Sequence, residues 1–258
     1  MCPTPPSRPA SLHDKPPHHE PLRNRADWAQ VRDWVFDLDN TLYPPRLRLF
    51  DQIEARMTAY VARELKLAPP EADRLRHEYY RLYGTTLAGL MHEHDLDPLP
   101  YLHEVHEIDL GHVPPAPDLA AAIGALSGRR WVYTNGSAPY ARRVLTARGL
   151  DRLFDGVFGV EDAGFHPKPR RAAFETVFAR AGIAPATGAM FEDDPRNLSV
   201  PHEMGMRTVL VTPDPSEPDA AGPHAASPHA ADPHATDPDA PHIHHRTHDL
   251  AGFLRHLI

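Results

Sequence analysis

The chain has 258 residues, 30 prolines, 19 histidines, one cysteine (Cys2) and a formal net charge of -8 with histidine neutral. A lone cysteine excludes an internal disulfide, and no apolar run approaches the roughly 20 residues that cross a bilayer. An acidic balance with no basic stripe argues against nucleic acid or an anionic membrane as partner, and a reducing cytoplasm fits the composition best.

The first 21 residues carry seven prolines and no apolar stretch of the signal-peptide kind, so residues 1–27 read as a disordered Pro-rich leader. The first apolar run, Trp34-Val35-Phe36, has strand composition and is followed by Asp37. The next comparable run begins only at Trp131, far beyond what a crossover helix needs. Between them Phe50, Ile53, Met57, Tyr60, Val61 and Leu65, and then Leu75, Tyr79, Leu82 and Tyr83, recur at spacings of three and four. This predicts helices, and prolines at 44–45 and 114–117 mark residues 46–114 as a small helical cap inserted into the surrounding core. Tyr79, Tyr80 and Tyr83 fit packing between cap helices better than base stacking, and Thr85 and Thr86 follow Gly84 at a helix end.

Helical periodicity resumes at Leu119, Ile123 and Leu126. Strand Trp131-Val132-Tyr133 comes next, closed by Thr134, and then helices around Tyr140, Val144 and Leu145 and around Phe174, Val177 and Phe178. Strand Ala189-Met190-Phe191 runs into Glu192-Asp193-Asp194, and strand Thr208-Val209-Leu210-Val211 follows. A five-residue Pro-containing unit then repeats, so residues 213–241 read as a low-complexity His/Pro/Ala insertion. Leu250 to Leu257 predicts a final docked helix. Short strands alternating with helices imply an α/β fold, a doubly wound Rossmann-like parallel sheet built from residues 28–45 and 115–258.

Polar groups collect where three of these strands end, the place where open parallel sheets bind ligands. Asp37-Leu38-Asp39-Asn40-Thr41-Leu42 puts two carboxylates in the first turn after a strand. Phosphoryl transfer through a carboxylate needs a nucleophile in line with phosphorus and a second carboxyl to protonate the leaving oxygen, which this pair supplies, together with a cation to quench repulsion. An EF-hand loop starting at Asp37 is excluded, because its sixth position would be Leu42 where glycine is needed. Thr134-Asn135-Gly136-Ser137 offers a hydroxyl, an amide and a flexible backbone to phosphate oxygens, although alone it is also an ordinary turn. Lys168, set between Pro167 and Pro169, is a counter-charge for phosphate and nucleophile. Glu192, Asp193 and Asp194 joined to Asp37 and Asp39 crowd carboxyls into one crevice, which calls for a metal or protonation. Oxygen ligands without cysteine favour Mg²⁺ over Zn²⁺.

These four motifs in this order resemble the haloacid dehalogenase-like phosphohydrolase superfamily over roughly residues 33 to 212 plus the last helix. The resemblance implies that Asp37 is the nucleophile and Asp39 the general acid and later base. It makes Thr134 and Lys168 the stabilisers of phosphate and aspartyl phosphate, with Asn135 beside them. Asp37, Asp39 through its carbonyl, Asp193 and Glu192 would be the Mg²⁺ ligands, and the insert a C1-type cap. Dehalogenases of the superfamily usually lack the second aspartate, so Asp39 favours phosphate esters. The wording Val35-Phe-Asp-Leu-Asp-Asn-Thr-Leu-Tyr-Pro, Tyr83-Gly-Thr-Thr-Leu, Phe165-His-Pro-Lys-Pro and Phe191-Glu-Asp-Asp-Pro-Arg-Asn-Leu is similar to the pyrimidine 5'-nucleotidase branch. That branch implies a small-molecule partner, a nucleoside monophosphate such as UMP or CMP. A sugar-phosphate or phosphoglycolate phosphatase is the nearest alternative. A His-rich metal binder using His224, His229, His234, His242, His244, His245 and His248 is the alternative of another class. The sequence does not set the oligomeric state.

Overall fold

A computed structural model describes residues 28–216 and 240–258. The leader and residues 217–239 of the repeat insertion lie outside these.

Six parallel strands form one sheet in the order β3-β2-β1-β4-β5-β6. They are β1 (Asp33–Phe36), β2 (Arg129–Tyr133), β3 (Gly156–Phe158), β4 (Gly188–Glu192), β5 (Arg207–Val211) and β6 (His245–Thr247). β1 lies at the centre, with Val35 opposite Trp131 on one side and Met190 on the other. All four of its residues are buried, because a parallel strand covered by helices on both faces has no solvent side. Successive side chains go to opposite faces. Trp34, Phe36, Ala189, Phe191 and Val209 pack with α5 (Pro117–Gly124), α6 (Ala138–Arg148) and α9 (Leu250–Leu257). Val35, Met190 and Leu210 pack with Phe174, Val177 and Phe178 of α7 (Arg171–Ala181).

The four apolar runs are β1, β2, β4 and β5. The sheet also has β3 and β6, two three-residue edge strands that the apolar runs do not announce. β6 is His-Arg-Thr, with no apolar side chain. A short α8 (Ser199–Glu203) lies between β4 and β5.

Between β1 and α5 the chain forms α1 (Leu49–Leu65), α2 (Pro69–Tyr83), α3 (Thr86–His94) and α4 (Pro98–Val105). These helices share a core of their own built on Tyr60, Val61, Tyr79, Leu90, Tyr101 and Leu102. The first half of α1 instead joins the main core through Leu49 and Ile53. Gly84 ends α2 at φ +89, the left-handed cap that glycine enters without cost, where a Cβ would meet the Pro167 ring at 3.6 Å and the Lys168 carbonyl at 3.8 Å. No helix among the described residues is long and apolar enough to cross a membrane.

Candidate active site

Asp37, Thr134 and the Glu192–Asp194 segment leave adjacent strands at the same edge of the sheet. The Asp37 N–H continues the ladder by donating to the Phe191 carbonyl at 2.9 Å. They form the floor of a cavity of about 420 Å³, and Phe50, Met57, Tyr80, Thr86 and Tyr101 from the helical insert are among the residues that wall it.

Lys168 sits in the loop before α7, follows Pro167 and makes a cis bond to Pro169. Its ammonium is 1% exposed and donates to Asp37 Oδ1 at 2.7 Å, Glu192 Oε1 at 2.7 Å and the Tyr133 carbonyl at 3.1 Å. Burial alone would lower its pKa, but the two carboxylates hold it well above the usual lysine value. Burial would likewise raise Glu192, yet Lys168 and the Asp194 N–H at 2.7 Å bring it below the ordinary range. Asn197 donates to Glu192 Oε1 at 2.7 Å as well, so this carboxylate is pinned from three directions.

Asp37 is raised by burial, against which Lys168 acts, and by the charges of Glu192 and Asp39. Asp193 is raised well above the normal value by burial and then by the charges of Glu192, Asp37 and Asp194, with Asn40 donating to it at 3.2 Å. Asp194 turns away to Arg196 at 2.7 Å.

The structure therefore gathers Asp37, Glu192 and Asp193, with ligand oxygens all within 4.8 Å of one another. The ammonium bonds two of these three carboxylates, Asp37 and Glu192. An all-oxygen set fits a hard divalent cation such as Mg²⁺. The Asp39 carboxylate is not in this group. Its Oδ1 accepts from the hydroxyls of Tyr43 at 2.6 Å and Tyr140 at 2.8 Å, and its Oδ2 from Thr134 at 3.4 Å. Burial raises its pKa while the two phenols oppose the rise.

Thr134 is fully buried, and its hydroxyl also accepts the Gly136 N–H at 2.9 Å. Asn135, expected to bind phosphate, lines the cavity, and its side chain holds the lysine loop. It donates to the Lys168 carbonyl at 3.2 Å and accepts the Lys168 N–H at 2.8 Å, fixing the lysine loop. Tyr79 is buried in the insert and bonded to His94, whereas Tyr80 lines the cavity with Arg196 over its ring at 4.9 Å. Thr85 caps α3 by accepting the Ala88 N–H at 3.1 Å, and Thr86 donates to the Arg76 carbonyl at 3.2 Å.

Sequence reasoning missed Tyr43, Tyr140, Asn40 and Asn197. Tyr43 and Asn40 stand inside the Asp37 motif, which was their available signal. Tyr140 has the spacing of a helical core residue, which it also is. Of the repeat-region histidines, His224, His229 and His234 lie outside the described residues. His244 Nδ1 contacts the Thr208 hydroxyl at 2.7 Å and accepts its N–H at 3.1 Å.

A family model described as haloacid dehalogenase-like hydrolase matches residues 34–217. Phosphate metabolism protein 8 of Saccharomyces cerevisiae is 26% identical over 193 residues, 69% of this chain; the match spans 60% of the length of the yeast protein. Among solved structures, the L-2-haloacid dehalogenase PA0810 superposes with a TM-score of 0.53 at 18% identity, covering 88% of this chain and all of that one. A HAD phosphatase from Thermococcus onnurineus gives a TM-score of 0.48 at 18% identity, over 72% of this chain and 89% of that one. The likeness to PA0810 concerns the fold alone.

Proposed function

Because the chain belongs to the haloacid dehalogenase-like hydrolase family, we propose that it is a Mg²⁺-dependent phosphomonoesterase working through an aspartyl phosphate on Asp37. The observation that carries the reading is the Lys168 ammonium held between Asp37 and Glu192, with Asp193 completing a group of three carboxylates whose oxygens lie within 4.8 Å of one another. Asp37 Oδ1 is anchored by that ammonium, so the carboxylate is fixed in direction at the cavity floor before substrate arrives.

In the first half-reaction a bond forms from the Asp37 carboxylate to phosphorus, the bond from phosphorus to the leaving oxygen breaks, and that oxygen takes the proton of Asp39. In the second, water bonds to phosphorus, the Asp37–phosphorus bond breaks, and a water proton goes to Asp39. Lys168 and Thr134 stabilise negative charge on the transferring group. Asp37, Glu192, Asp193 and the Asp39 carbonyl would hold Mg²⁺, which neutralises phosphate charge when bound. The insert serves as the cap: it closes the cavity over Asp37, excludes water during the first half-reaction and selects the leaving group.

Pyrimidine nucleoside monophosphates are the proposed substrates. The motif wording supports this, and the name of the yeast relative is consistent with phosphate chemistry. The test is phosphate release from UMP, CMP, AMP, GMP, sugar phosphates and phosphoglycolate, with Mg²⁺ and with EDTA. UMP and CMP are expected to give the highest kcat/KM, EDTA to remove activity, and Asp37→Asn to abolish it while the protein stays folded. Release near the wild-type rate by Asp37→Asn rejects the covalent route, and purines or sugar phosphates performing as well rejects the nucleotidase name.

A further inference from the structure

Asp39 does not stand alone in the cavity. The hydroxyls of Tyr43, on the turn after β1, and Tyr140, on α6, both donate to the same oxygen, Oδ1, at 2.6 and 2.8 Å. The two hydroxyls are 3.4 Å apart, and both tyrosines are 1% exposed. Tyr140 is itself held by a stacked His106 with ring centroids 4.5 Å apart. His106 Nδ1 lies 2.8 Å from the Leu102 carbonyl of α4 and 3.2 Å from the Ser137 hydroxyl that opens α6. Two elements thus converge on one carboxylate oxygen, and a third, through His106, backs Tyr140.

A carboxylate oxygen has two lone pairs, so two phenol donors saturate Oδ1. A proton on Asp39 must then reside on Oδ2, the oxygen that Thr134 contacts at 3.4 Å. A carboxyl free to rotate would present either oxygen, and its proton would be in line with the departing group only part of the time. Packing a pair of fully buried phenols around one acidic oxygen is costly unless both hydroxyls are satisfied, and Asp39 satisfies both.

We propose that Tyr43 and Tyr140 are positioning residues for the acid step, a clamp that fixes the Asp39 carboxyl so that Oδ2 delivers the proton to the leaving oxygen. The proposal rests on the phosphomonoesterase reading. The bond from phosphorus to the leaving oxygen breaks, the oxygen keeps the electron pair, and the Oδ2 proton transfers to it. The clamp hydroxyls keep their own protons throughout.

A positioning role has a signature that a general structural defect lacks. An alkoxide needs protonation to leave, whereas a nitrophenolate leaves nearly unaided. The experiment measures kcat/KM, which reports only on steps up to leaving-group release, for p-nitrophenyl phosphate and for the best alkyl ester of the substrate panel. Tyr43→Phe, Tyr140→Phe and the double variant are compared with wild type and with Asp39→Asn, and melting temperatures are recorded. The double variant is expected to lose roughly tenfold to hundredfold on the alkyl ester, part of the 10²–10⁴ that a positioned acid supplies, and less than about threefold on the nitrophenyl ester. Asp39→Asn should show the same inequality in larger measure, and each single variant a smaller one. Equal losses on both esters, or no loss on either, overturn the clamp. Wild-type protein that cleaves neither ester overturns the phosphomonoesterase reading and the clamp with it.

Discussion

Lys168 pairs with Asp37 and Glu192, while Asp193, part-buried beside Glu192 and bonded by Asn40, is raised by burial and by the neighbouring carboxylates. Its pKa is raised in the folded protein, so its ionisation works against folding. Below about pH 4, the unfolded value, it is neutral in both states and costs nothing. As pH rises the unfolded chain ionises freely while the folded one resists, so stability is lost through the folded pKa. Asp193→Asn removes this cost without removing the side chain that accepts from Asn40. The metal-free variant should therefore be more stable than wild type at neutral pH, with a gain that shrinks as the pH is lowered towards 4. Mg²⁺, which stabilises the native state by mass action, should raise the melting temperature of wild type more than that of the variant. Melting curves across pH, in EDTA and in Mg²⁺, decide it; a variant less stable than wild type in EDTA at neutral pH would show that Asp193 is already compensated.

At the scale of elements, the insert matters because α2 and α3 reach the site from above. The Tyr83 carbonyl accepts from Arg170 at 3.4 Å, Tyr80 meets Arg196, and Thr86 and Leu87 of α3 line the cavity. The seam between these two helices closes at Gly89, where a Cβ would sit 2.5 Å from Tyr79 Cβ and 2.7 Å from its Cδ2. Helix propensity favours Gly89→Ala by up to about 1 kcal/mol, while overpacking costs about 1–3 kcal/mol. Tyr79 cannot swing clear, being bonded to His94 at 2.7 Å and edge-on to Tyr83 at 5.8 Å. Packing wins, so Gly89→Ala should lower the melting temperature and raise KM through displacement of Thr86 and Leu87. A rise in melting temperature would mean the seam opens freely. The helices of this insert were legible from spacing because each hides one stripe. The central strands were legible because both faces are buried, which leaves continuous apolar runs. β3 and β6, with one neighbour each and three residues, leave no such trace. Within the site, Asp37, Glu192, Asp193 and Lys168 were readable from their places after strands and between prolines. The hold of the Asn135 side chain on the lysine loop was not, because that partner is the backbone of Lys168, 33 residues away.

At the scale of the whole molecule, the chain leaves β5, passes through the repeat and returns to add β6 and α9. What returns is part of the main core: Leu254 is fully buried, Phe253 is edge-on to Trp28 at 5.7 Å and to Phe191 at 6.1 Å, and α9 packs on α5. The repeat therefore lies between two parts of one core, and its length and its sequence can be tested separately from them. The loop-closure relation changes by only about 0.6 kcal/mol for each doubling of connection length. Replacing residues 217–239 by a Gly/Ser linker of half that length should thus change stability by less than about 1 kcal/mol. Its kinetic constants should stay within about twofold of wild type, because a composition of Pro, Ala and His with almost no large apolar side chain has little with which to dock. Leu254→Ala, beyond the repeat, should instead cost about 2–5 kcal/mol through the cavity it opens beneath the sheet. Denaturant unfolding and phosphate release on the two variants provide the comparison. A shortened protein that loses several kcal/mol or most of its turnover would place the repeat among the parts that build the fold or reach the site, while a harmless Leu254→Ala would show that α9 is dispensable to the core.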